Sequence, residues 1–483
     1  MSSRPTHPNH DTTTDVDVCV AAPTDVPAAS TAPFPAHHFP PDFTWGVATS
    51  AFQIEGAADV DGKGPSVWDT FCQRPGVIAD GSDGRVACDH YRRLDEDLDL
   101  IAGLGVDAYR FSISWPRVQP TGSGAWNEAG LAFYDRLIDG LQARGIRAHL
   151  TLYHWDLPEA LQARGGWAER ETVHRFVDYA CVIARRYGDR LAAITTHNEP
   201  WVVAVLGHEA GIFAPGLRDR AVAAQVSHHL LLSHGLAVRA MREAGCTVPM
   251  GIVLNLSPHL PVSDDPADAA RARLEDGKLL RWYMDPLFRG HYPGDVLDDL
   301  GPSVPRIEPG DLDAIRVPID FLGINYYTRS MVSAADPWVP GSTGLALTTM
   351  GWEIHPPSLT ELLVRLARDY PVPPLTITEN GGAFPDHMVD GVVSDVDRID
   401  YLARHIDAVG EAMRQGVVVD GYFVWSLLDN FEWASGYVPR FGIVHVDYAT
   451  QRRTLKASAH WLARYLQQQQ ALRARTLQTT TGD

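Results

Sequence analysis

Three stretches, taken in order, decide the fold. They are Arg147-Ala-His-Leu-Thr-Leu-Tyr153, then Glu171-Thr-Val-His-Arg-Phe-Val-Asp-Tyr-Ala-Cys-Val-Ile-Ala-Arg-Arg-Tyr187, then Ala192-Ala-Ile-Thr-Thr-His-Asn198. The first and third are short and rich in apolar and β-branched residues, as buried strands are. The second sets apolar residues three and four apart, the period of a helix with one buried face. Strand, helix, strand in succession makes a parallel crossover unit. The alternation continues on both sides. Strand-like runs recur at 43–51, 108–114, 250–256, 319–326, 375–378 and 421–426. Helical periods cover 91–103, 130–144, 221–244, 359–369 and 398–415. Eight such strands without a break in composition predict an α/β fold, a single (β/α)8 TIM barrel. A doubly wound sheet is the competing reading. It wants a glycine-rich phosphate turn after its first strand, and Gly46-Val-Ala-Thr-Ser-Ala51 has none.

The ends differ from this middle. Residues 1–38 hold little that could form a core and are read as a disordered Pro/Thr-rich arm. Residues 39–465 form the barrel, and 466–483, rich in Gln and Thr, a C-terminal tail. At 483 residues the chain could hold about three average domains, but one barrel with tails accounts for it. No apolar run is long enough to span a membrane and no signal-peptide pattern opens the chain. The net charge of −19 gives no footprint for nucleic acid or anionic lipid. Five cysteines, Cys19, Cys72, Cys88, Cys181 and Cys246, are odd in number and widely spaced, which suits free thiols and a cytoplasmic location. Thirteen tryptophans fit either a large core or a ligand that stacks on aromatic faces.

A barrel places its chemistry at the C-terminal ends of its strands. The fourth strand ends in Asn198-Glu199-Pro200 and the seventh in Glu379-Asn380-Gly381. One glutamate at a strand end is usually just solvated. Two, each beside an asparagine and facing across one mouth, suit glycosidic cleavage, in which one carboxyl protonates the leaving oxygen while the other attacks the sugar carbon or steers water.

These stretches resemble glycoside hydrolase family 1, the β-glucosidase family. Thr196-His-Asn-Glu-Pro200 is similar to its acid/base motif and Ile377-Thr-Glu-Asn-Gly381 to its nucleophile motif. The segment from Phe43 to Gly56 is similar to its N-terminal signature. Further matches are Tyr109–Arg117, Leu152–Pro158, Asn325–Thr328, Met350–Ile354 and Trp425–Trp433. The resemblance covers about 39 to 465. His197 departs from it, since the family more often has Phe, Leu or Ile there. Strand alternation turns it away from the face of Asn198.

The resemblance implies a retaining β-glucosidase that removes terminal β-D-glucosyl residues from cello-oligosaccharides and aryl or alkyl β-glucosides. Glu379 is the implied nucleophile, kept ionised by Arg110 and Tyr327, and Glu199 the acid/base. The implied substrate-binding residues are Gln53, His154, Trp155, Asn198, Asn325, Tyr327, Trp352, Trp425, Glu432 and Trp433. Among them Asn198 serves the 2-hydroxyl, Glu432 with Gln53 the 4- and 6-hydroxyls, and Trp352 the aglycone. Relatives that act on 6-phosphosugars have Ser where this chain has Glu432, so an unphosphorylated sugar is expected. No cofactor and no metal are expected: neither an HxH at the first strand nor an HExxH occurs. Galactoside or fucoside preference on the same mechanism stays open, as does a non-enzymatic carbohydrate-binding barrel, which would need neither glutamate. The partner is a small β-glucoside; oligomeric state stays open.

Overall fold

The computed structural model describes residues 34, 35 and 37–480, with side chains up to 474. Eight parallel strands close into a barrel. They are β1 (Thr44–Ala48), β2 (Ala108–Ser112), β3 (Arg147–Tyr153), β4 (Ala193–Asn198), β5 (Met250–Asn255), β6 (Phe321–Asn325), β7 (Leu375–Asn380) and β8 (Val419–Trp425). Each coincides with one of the eight predicted runs. Sequential strands are neighbours, and β8 pairs with β1 from Thr44–Gly421 to Ala48–Trp425, which closes the ring. Strand residues are buried on both faces, as a parallel barrel inside a helical shell requires.

The shell contains α1 (Leu94–Leu104), α2 (Glu128–Ala143), α3 (Arg170–Tyr187), α4 (Arg220–Glu243), α5 (Pro266–Asp276), α6 (Pro356–Asp369), α7 (Val396–Arg414) and α8 (Ala457–Thr480). Sequence periodicity locates five of the predicted helices and α3 to within a turn or so. It misses α5 and the length of α8. The expected tail from 466 begins inside α8: Leu466 and Gln469 are buried, and Arg473 pairs with Asp107 at 3.1 Å. Glutamine is a good helix former, and this helix packs against α1 and α7. Most of the expected arm, with Cys19, lies outside the described residues. Its described end packs: the Phe34 ring stands 6.0 Å from Trp461 and 5.8 Å from Tyr465.

Candidate active site

Glu199 and Glu379 meet at the mouth of the barrel. Plain alternation would send Asn198 and Glu199 to opposite faces. Instead the β4–β5 register shifts between Thr195 and Asn198, and Glu199 takes left-handed backbone (φ 50°), so both side chains serve the same mouth. On β7 a second shift sets Asn325 opposite Glu379 directly after Ile324 opposite Ile377. Gly381 is required behind it, since a Cβ there would stand 1.8 Å from the Trp425 carbonyl oxygen. Trp155 (φ 79°) and Trp433 (φ 51°) are also left-handed and line the same cavity. Such backbone costs bulky residues about 1–2 kcal/mol each, and it concentrates where a site is held in shape.

The two carboxyls have different partners. Glu379 accepts from Arg110 Nη1 through Oε1 (2.6 Å) and from the Tyr327 hydroxyl through Oε2 (2.6 Å). Glu199 accepts from Asn325 Nδ2 (2.6 Å). Burial and then the Glu379 charge push the Glu199 carboxyl up to about 8. Burial also raises the Glu379 carboxyl, while Arg110, Tyr327 and Asn325 pull it down. The Arg110 contribution expected from sequence is therefore present, but desolvation outweighs it.

Around them the polar groups are interlocked. Arg110 Nη2 and Asn325 Nδ2 both donate to Asn198 Oδ1 (2.5 and 3.1 Å), and the Thr378 hydroxyl donates to Asn325 Oδ1 (2.7 Å). Asn198 Nδ2 faces His154 Nε2 at 3.2 Å. Burial and then Arg110 hold His154 neutral. The His154 ring lies parallel to the Trp425 and Trp433 rings, at 5.9 and 6.0 Å. His154 Nδ1 and Glu432 Oε2 are buried without a protein partner. Polar atoms left so are costly unless a ligand satisfies them. Burial, then the Glu379 charge, lifts the Glu432 carboxyl to about 8.

Of the residues singled out in the sequence, Glu199, Glu379, His154, Trp155, Asn325, Tyr327, Trp352, Trp425, Glu432 and Trp433 line one cavity. Gln53, Asn198 and Arg110 stand behind that lining. Gln53 donates to Asn430 Oδ1 (3.0 Å) and to the Phe431 carbonyl (2.9 Å), and so fixes the stretch that carries Glu432. His197 points outward: its Nε2 meets the Ser233 hydroxyl at 2.8 Å and its ring stacks on Phe176 at 4.4 Å. Sequence reasoning passes over Thr378 and Asn430. Thr378 adjoins Glu379, and Asn430 lies inside a quoted motif, so adjacency was the available signal. It also passes over Lys456. This buried ammonium bridges Asp429 Oδ1 (2.6 Å) and Asp386 Oδ2 (2.5 Å), tying the chain after β7 to the chain after β8. Nothing near Lys456 in the sequence announces it. Among the described residues no group of three or more His, Cys, Asp or Glu could hold a metal ion.

The arrangement can donate a proton from one buried carboxyl while the other, braced by a guanidinium and a phenol, attacks an electrophilic carbon. The profile of glycosyl hydrolase family 1 matches residues 36–471. A β-glucosidase of Agrobacterium sp. is 46% identical over 436 residues, 88% of this chain and 95% of that protein. A bifunctional β-D-glucosidase/β-D-fucosidase of Bifidobacterium breve is 44% identical over 462 residues, 89% of this chain and 98% of that one. The solved family 1 β-glucosidase of Thermotoga maritima superposes with a TM-score of 0.87 at 45% identity, covering 90% of this chain and 98% of its own.

Proposed function

The chain belongs to glycosyl hydrolase family 1, and from that premise we propose how this glycoside hydrolase works: as a retaining β-glucosidase with Glu379 as nucleophile and Glu199 as acid/base. Its substrates are terminal β-D-glucosyl residues of cello-oligosaccharides and of aryl or alkyl β-glucosides. The observation that carries the assignment of roles is the unequal bonding of the two carboxyls. Glu379 accepts from a guanidinium and a phenol; Glu199 accepts from one amide.

In the first step a Glu379 oxygen bonds to the anomeric carbon, the glycosidic C–O bond breaks, and the Glu199 proton passes to the leaving oxygen. Glu379 is then an ester without charge. The repulsion that, after burial, helped hold the proton on Glu199 is gone, so Glu199 becomes more acidic and can act as the base that step two needs. Water attacks the anomeric carbon, its proton goes to Glu199, and Glu379 leaves as the carboxylate.

The free atoms His154 Nδ1 and Glu432 Oε2 support a sugar subsite. Asn198 Oδ1 is taken by Arg110 and Asn325, which leaves Nδ2 to donate to the 2-hydroxyl. Glu432 takes the 4- and 6-hydroxyls, with Gln53 helping through the stretch it holds. The Glu432 carboxyl offers a 6-phosphate no countercharge, and the Glu379 charge that raises it would oppose a phosphate as well. We place the enzyme in the cytoplasm, with the unpaired Cys72, Cys88, Cys181 and Cys246 in support, and we take 39–465 as its catalytic unit with 1–38 as an appended arm.

The test is product stereochemistry followed by proton NMR: β-glucose must form before mutarotation. Glu379→Ala must abolish turnover of an aryl β-glucoside. Glu199→Ala with azide must yield the β-glucosyl azide, and an α-azide would overturn the roles. The B. breve relative's second activity favours one companion reading, some β-fucoside turnover at the same site, checked on the aryl β-D-fucoside.

A further inference from the structure

We propose that the outer half of the pocket selects β-glucosides whose aglycone is a long apolar chain over those whose leaving group is another sugar, with Ile212 and Trp338 as the selecting residues. This rests on the β-glucosidase reading above. One cavity of about 580 Å³ runs from the two carboxyls to the surface. Its inner end is polar and charged. Val202, Leu206, Ile212 and Phe213, all from the stretch after β4, share the rest of its lining with Pro337 and Trp338 from the loop after β6.

Ile212 is 51% exposed and Trp338 47%. A single large apolar side chain in water needs no explanation. Two in the lining of one cavity, beside the apolar Val202, Leu206, Phe213 and Pro337, form a patch that an apolar ligand would cover. The patch is continuous with the catalytic pocket, so the occupant it fits is the substrate's own leaving group.

Several polar side chains of this half are already engaged. Lys278 pairs with Glu275 at 3.2 Å, Arg271 holds the same Glu275 oxygen at 2.8 Å, and the Thr328 hydroxyl donates to the Glu353 carbonyl at 2.9 Å. Asn255, Ser257, His259 and Ser330 remain on the wall formed after β5 and β6. They are too few for the many hydroxyls of a second and third sugar ring. An alkyl chain asks for no hydrogen bonds.

The butyl to octyl β-D-glucosides have leaving alcohols of nearly equal basicity, so a trend in kcat/KM along that series reports contact and not chemistry. Full burial of a methylene multiplies affinity about fourfold, and burial on one side about twofold. The expected slope is therefore about twofold per methylene, or about sixteenfold over the four methylenes from butyl to octyl. From cellobiose to cellotetraose kcat/KM should stay within about twofold. The double variant Ile212→Ser, Trp338→Ser should flatten the alkyl slope. Each slope is taken relative to the same protein's butyl glucoside rate, so a loss of folded enzyme cancels. A flat slope in the natural protein overturns the proposal, as does a steep one that survives the double substitution or a rise along the cello-oligosaccharides that exceeds it. Failure to release glucose from any aryl or alkyl β-glucoside would overturn the β-glucosidase reading instead.

Discussion

At neutral pH Glu199 holds a proton because burial and the Glu379 charge lift its carboxyl to about 8. As the acid, it must lose activity as pH rises through that value, so the basic limb of kcat/KM for an aryl glucoside should fall near pH 8. Once Glu379 is esterified by a 2-fluoroglucosyl group the repelling charge is gone. Carboxyl NMR should then show Glu199 titrating about one to three pH units lower; an unchanged titration would mean the two groups are not coupled. Glu432 offers a second check. A carboxyl raised in the folded state favours folding below its unfolded value near 4.5 and loses that advantage as pH rises toward about 8. Glu432→Gln should therefore raise Tm at pH 8 or above, while cutting kcat/KM on glucosides at least tenfold. Single residues were legible where chemistry repeats in order along the chain, as at Asn198-Glu199 and Glu379-Asn380. Alternation also assigned His197 to the outward face correctly. The left-handed turn at Glu199 was not legible, because no local preference dictates it.

The barrel strands were readable because strands buried on both faces leave short, dense apolar runs that helical stretches cannot imitate. α8 was not, because its buried side is sparse and lies among glutamines. Its end nevertheless bears on the start of the fold: Arg473 pairs with Asp107 and donates to the Phe43 carbonyl, while Asp107 Oδ2 accepts from the Trp45 amide at 3.0 Å. Removing residues 467–483 should lower Tm by several degrees, whereas Arg473→Ala should cost about 1 kcal/mol or less, because that pair is partly exposed. A loss no larger for the truncation than for the single substitution would show that α8 beyond 466 is dispensable. Lys456 works between elements. It is fully buried with Asp386 and Asp429, while Arg398 binds Asp386 at 2.8 Å. Breaking a buried pair leaves unpaired charge and costs about 3–5 kcal/mol. Lys456→Met should therefore destabilise the fold by that order in urea titration. In whatever folds, it should raise KM for glucosides, since Asp429 sits three residues before Glu432.

At the scale of the whole molecule, length and charge said little about the site. The stretch from Thr44 to Trp425 does not divide into domains of average length: β1 and β8 are hydrogen-bonded neighbours, and no strand of the ring can leave without opening it. The tryptophan excess did acquire a partial meaning. Trp155, Trp352, Trp425 and Trp433 line the pocket, while Trp68, Trp115, Trp167 and Trp461 are ordinary core. The loops at the mouth were the least legible part, because their shape is set by contacts far apart in sequence. The ring's closure also has a practical side. Phe34 rests on Trp461 and Tyr465, and Tyr465 meets Trp45 at the start of β1, so both described ends of the chain gather beneath the barrel, opposite the mouth. A tether, a bead or a fused cellulose-binding module attached at either end would hold the enzyme by its base and leave the entrance turned toward arriving substrate.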